Sequence, residues 1–126
     1  MRDRAFYEQA VERYLGSIDA LDLEGVLALL ADDPMLVIEP AGVVLRGRDE
    51  VRGALDGLLG ESAGMQHEVL ALIVDTVASR VAIELNYHDT KQATGVTTIL
   101  HDSTHLLFDG DGKIQKIQFW MGHDIA

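Results

Sequence analysis

The stretch FDGDGKIQKIQFW, residues 108–120, decides the fold. Asp109, Gly110, Asp111 and Gly112 supply the residues that tolerate the positive φ of a tight hairpin turn. After the turn, Ile117, Phe119 and Met121 alternate with Gln118 and Trp120 in the period of two that marks a strand with one apolar face. The chain therefore ends in a β-hairpin whose last arm presents an apolar face on one side and Trp120 on the other.

Working outward, the segments 65–77, 79–89, 95–108 and 113–122 are rich in Val, Ile, Thr and Leu and read as four successive long strands. The first half of the chain has a different period. From Arg4 to Ala20 the residues Phe6, Ala10, Val11, Leu15 and Ile18 recur at helical spacing, and Tyr14 falls on the same stripe, pointing inward. Asp22 is a candidate N-cap for a short second helix carrying Val26, Leu27 and Leu30 and ending before Asp32, Asp33 and Pro34. The apolar run Met35–Ile38 then reads as a strand buried on both faces, closed by Glu39 and Pro40. A turn at Gly42 leads to a short arm, Val43 to Leu45, and after Gly47 the residues Val51, Ala54, Leu55 and Leu58 mark a third helix. Helices first and antiparallel strands after them predict a single α+β domain over 1–126, with a curved sheet wrapped around the long N-terminal helix and two shorter ones. Such a cone leaves a cavity between helix and sheet.

Composition limits what that cavity serves. A net charge of −11, from 21 acidic and 10 basic residues, repels phosphate backbones and excludes nucleic acid as a natural partner. The absence of cysteine removes disulfides and thiolate metal sites and points to a cytoplasmic protein. No apolar run is long enough for a membrane span or a signal peptide, so no membrane partner is expected. The 48% hydrophobic content calls for a large interior, an interface or an apolar pocket. HDSTH, residues 101–105, places two histidines four apart, but on a strand that span is about 13 Å, too far for one ion. His101, Ser103 and His105 would then face solvent or a partner subunit.

The order of elements, together with RYLGSIDALDLEGVLALLADDPMLVIEP, LRGRDEV and FDGDGKIQKIQFW, resembles the nuclear transport factor 2-like superfamily. Within it the chain is most similar to the ketosteroid isomerases and the SnoaL-like polyketide cyclases. The resemblance runs from about Val11 to Met121. It implies a dimeric protein that binds a hydrophobic carbonyl compound, steroid or polyketide-like, and moves protons on it; with neither a phosphate-binding loop nor a metal cluster in the sequence, no cofactor is expected. Residue by residue, Glu39 before Pro40 stands where the isomerases have their aspartate base. Tyr14, in the pair Arg13-Tyr14, matches the tyrosine that donates to the oxyanion. Thr104 stands where the family has its second donor, a protonated aspartate, and Leu55 replaces a supporting tyrosine. Asp102 shares a strand face with Leu100, Thr104 and Leu106 and becomes the displaced acid if that face lines the cavity; otherwise it is a solvated carboxylate at the strand's mouth. Val37, Leu55, Leu58, Leu106, Ile117, Phe119 and Met121 are the candidate apolar wall. Two alternatives share the fold: a non-catalytic small-molecule binder, and a hydratase or epoxide hydrolase using Asp102 and Asn86.

Overall fold

A computed structural model describes residues 1–124. Helix α1 spans Arg4–Asp19, α2 Leu23–Leu27 and α3 Gly47–Gly60; the strands are β1 Leu30–Glu39, β2 Val43–Arg46, β3 Ser62–Asp75, β4 Arg80–Lys91, β5 Thr97–Phe108 and β6 Ile114–Asp124. The α+β architecture is the one predicted. Asp3 and Asp22 cap α1 and α2, their carboxylates accepting from the backbone N–H groups of Phe6 and Gly25. In the β5–β6 hairpin Gly112 takes φ +78°, the left-handed conformation its turn requires.

The six strands form one sheet in the order β2-β1-β6-β5-β4-β3. Two details depart from expectation. Leu30, expected on α2, opens β1: α2 stops at Leu27, the N–H of Ile114 donates to Leu29 O at 2.9 Å, and Leu30 pairs with Ile114 on β6. The carbonyls at this abrupt helix-to-strand join are held by Arg48, whose guanidinium donates to Leu27 O, Ala31 O and Leu30 O at 2.9, 3.1 and 3.3 Å. Asp32, Asp33 and Pro34 therefore lie within β1, where the register slips between Leu30 and Met35; proline, lacking an N–H, suits that irregularity. The second departure is that β1 runs parallel to β6, while all other pairs are antiparallel.

Register sorts side chains into rows across the sheet. Leu36, Ile117, Leu106 and Val81 align on the concave face, as do Ile38, Phe119, Thr104 and Ile83 in the next row. Toward the wider end follow Met121, Asp102 and Leu85, then Tyr87 and His67. The buried stripe of α1 (Tyr7, Ala10, Val11, Tyr14, Leu15, Ile18) packs on this face, with Val51, Leu55 and Leu59 of α3 beside it. The narrow end is closed by edge-to-face contacts among Phe6, Tyr7 and Phe108, with centroids 5.1–6.2 Å apart. The opposite end, under the C-terminal half of α1, is not filled.

Candidate active site

That unfilled end is a cavity of about 120 Å³. Helix α1 contributes Tyr14, Leu15 and Ile18, and α3 contributes Ala54, Leu55 and Leu58. The sheet adds Leu36 and Ile38 from β1, Met65 and His67 from β3, Tyr87 from β4, Asp102 and Thr104 from β5, and Phe119 and Met121 from β6. The volume is close to the roughly 150 Å³ known to admit a benzene-sized guest, so one ring fits deep inside. The rest of a larger ligand would leave past Met121, which is exposed.

The sheet and helices bring together seven of the residues expected at the site: Tyr14, Asp102, Thr104, Leu55, Leu58, Phe119 and Met121. Four lie elsewhere. Leu106 and Ile117 are on the concave face but deeper, packed solid in the core. Val37 and Glu39 have the wrong parity. Leu36 and Ile38 face the cavity, so their neighbours face away; Val37 aligns with Gln118, and Glu39 with Trp120, Ser103 and exposed Glu84 on the convex side. Asn86 is likewise on that side, hydrogen-bonded at 3.0 Å to the ring of His101. His101 and His105 share the convex face, His105 packing on Trp120 with ring centroids 4.8 Å apart.

Within an apolar lining, the few polar groups behave unusually. Asp102 is only 7% exposed, and its Oδ1 is the one buried side-chain polar atom among the described residues without a hydrogen-bond partner. Desolvation pushes its carboxyl up to about 7, against a smaller opposing effect of the hydrogen bond from the Ser103 backbone. A large share of the acid is therefore neutral, and able to donate, up to about pH 7, above which the carboxylate takes over. Tyr14 is buried, and desolvation followed by the nearby charge of Asp102 raises its hydroxyl well above the usual phenol range. It stays a neutral donor at any ordinary pH. Tyr87 is pushed up to about 12 by desolvation first, then by Asp89 and Asp102.

Sequence reasoning missed the pair formed by His67 and Asp19. Nδ1 of His67 lies 2.5 Å from Oδ1 of Asp19, and the His67 backbone N–H donates to Oδ2 at 3.0 Å. A histidine isolated in the sequence carries no periodic signal, and its partner is 48 positions away at the end of α1. Only the parity of β3, with Met65 and His67 on one face, could have hinted at it.

Residues 11–117 match the SnoaL-like domain family. No curated protein sequence matches. Among solved structures, the chain is similar to SalBIII, an epoxide hydrolase/cyclase-like enzyme with a role in pyran ring formation in the polyether salinomycin. The identity is 17% and the TM-score 0.84, covering 97% of this chain and 95% of that one. It is also similar to an LEH-like epoxide hydrolase from M. tuberculosis, at 19% identity and TM-score 0.77 over 93% and 83% of the two chains. A hypothetical protein of ketosteroid isomerase-like fold from Catenulispora acidiphila, in complex with trimethylamine, aligns at 15% identity and TM-score 0.77 over 94% and 87%. At such identities the likeness is one of fold.

Proposed function

The chain belongs to the SnoaL-like domain family, and from that premise we propose that it binds a hydrophobic carbonyl compound and catalyses proton transfer beside the carbonyl. The observation that carries this reading is the unpartnered Oδ1 of Asp102, buried in an apolar cavity beside the neutral phenol of Tyr14. An orphaned buried polar atom is costly unless a ligand completes it. A carbonyl oxygen accepts two hydrogen bonds, and Tyr14 with protonated Asp102 supplies two donors. When the adjacent carbon loses a proton, the negative charge on that oxygen strengthens both bonds in a site from which water is excluded; one such donor is worth about 3 kcal/mol to the transition state. Allylic isomerisation and aldol-type ring closure both pass through this enolate. Steroid and polyketide-like ligands suit the apolar wall, with one ring inside and the remainder at the mouth.

A second reading starts from the same acid: Asp102, neutral up to about pH 7, can protonate the oxygen of an epoxide that water then opens. Pairing of two copies across the convex face, where Trp120 and Ile73 are exposed, belongs to the proposal and is measured by sedimentation.

Turnover of a β,γ-unsaturated 3-ketosteroid and binding of a phenolic steroid test the main reading. Tyr14→Phe should weaken both, the rate by about 100-fold. Wild-type protein that neither binds the phenol nor converts the ketone, yet opens a cyclic epoxide, would replace the carbonyl reading with the second.

A further inference from the structure

Glu39 faces away from the cavity, which leaves the carbon-bound proton without an acceptor. His67 is built as one. Its ring lines the cavity from β3 and is held on two sides. At its edge, Nδ1 meets the Asp19 carboxylate at 2.5 Å; against its face, Tyr87 stacks with centroids 5.3 Å apart and planes 13° from parallel. Asp19 cannot swing away, because its other oxygen accepts from the His67 backbone N–H. A carboxylate only accepts, so Nδ1 carries a proton, and in the neutral ring the free lone pair sits at Nε2. Side chain, tautomer and orienting carboxylate together form the arrangement that turns an imidazole into a positioned base.

We propose that His67, oriented by Asp19, takes the proton from the ligand's carbon at Nε2; this rests on the reading of the cavity as a site of enolate chemistry. His67 aligns with Tyr87, and Asp102 with Leu85 two residues along β4. Two strand spacings and a two-residue offset separate His67 and Asp102 by about 12 Å between Cα atoms, a gap that one ring bridges when both side chains point into the concavity. With the carbonyl oxygen at Tyr14 and Asp102, the neighbouring C–H bond breaks. Its electron pair forms a carbon–carbon double bond, the carbonyl π pair moves onto oxygen, and the proton joins Nε2. The resulting imidazolium is stabilised by Asp19. In an isomerisation the same proton then returns from Nε2 to the far end of the dienolate, and the carbonyl re-forms. Nothing is oxidised or reduced.

The test uses a β,γ-unsaturated 3-ketosteroid for turnover and a phenolic steroid for binding, on the full chain. His67→Gln should lower kcat by about 100-fold or more with a much smaller change in phenol affinity. Asp19→Asn should also lower kcat, and should move the ring proton from Nδ1 to Nε2, read from the ¹⁵N shifts of His67. Wild-type kcat in His67→Gln overturns the assignment, as does a loss matched by equal loss of phenol binding in both variants. Turnover abolished by Glu39→Gln but not by His67→Gln overturns it in favour of Glu39. Wild-type protein that binds the phenol without converting the ketone overturns the base and leaves carbonyl binding standing. Wild-type protein that does neither removes the cavity reading itself, and the base with it.

Discussion

Asp102 holds its proton in the folded protein over a range where the unfolded chain has lost it. Its carboxyl rises from the usual 3.8 to about 7 on folding, chiefly through desolvation. Between those values only the folded state is protonated at this site, so stability falls as pH rises across the window and levels off above about 7. The ceiling of that loss is about 4 kcal/mol. Asp102→Asn keeps the shape and removes the charge; urea unfolding should show it more stable than wild type at pH 8 and equal at pH 3.5 or below. On the proposed carbonyl chemistry the same titration bears on activity: kcat/KM for a ketosteroid should decline as pH rises through about 7, because the charged carboxylate cannot donate, and Asp102→Asn should flatten that limb. The face shared by Asp102 and Thr104 was legible in the sequence from their two-residue spacing. Glu39 was misleading for a related reason: a carboxylate beside proline at a strand end matches a motif, but the register with β6, invisible in one sequence, decides which way it points.

At the scale of elements, the mouth of the cavity depends on a bulge in β6. Pairing slips between Leu100–Asp124 and Asp102–Met121, so three steps on β6 oppose two on β5. The strands approach so closely there that a Cβ on Gly122 would stand 1.6 Å from the carbonyl oxygen of His101. Gly122→Ala must push β6 away from the residue preceding Asp102. The expected cost is about 2 kcal/mol or more in urea unfolding, together with weakened binding of a phenolic steroid. Long periodic elements such as α1 and the four C-terminal strands were readable from spacing alone. The end of α2 was not, because five residues of weak periodicity yielded to a tertiary demand: Leu30 is worth more opposite Ile114 than as one more helical residue. The parallel β1–β6 pairing was equally hidden, since it joins segments far apart in the chain.

Over the whole molecule, the charge of −11 is carried mostly on the surface, where like charges repel and the folded state suffers more than the expanded one. Raising NaCl from about 0.02 M to about 0.5 M shortens the screening length severalfold, and a rise in Tm of about 3 °C or more is expected by calorimetry. A flat response would mean that the local ion pairs, Arg4 with Glu8 and Arg52 with Glu24 among them, already balance the repulsion.

The parallel seam between β1 and β6 also sets an order of events in time. Strands β3 to β6 are neighbours in sequence and can zip together as successive hairpins, closing only short loops. Seating β1 beside β6 brings Leu30 to Ile114, which closes most of the chain into one loop and is entropically the slow step. The cavity is lined from both strands, so it comes into being with that final closure. In refolding experiments on the proposed binding activity, fluorescence from a phenolic steroid should therefore lag the growth of β-sheet circular dichroism, and a chain arrested with all its hairpins formed would still lack the cavity.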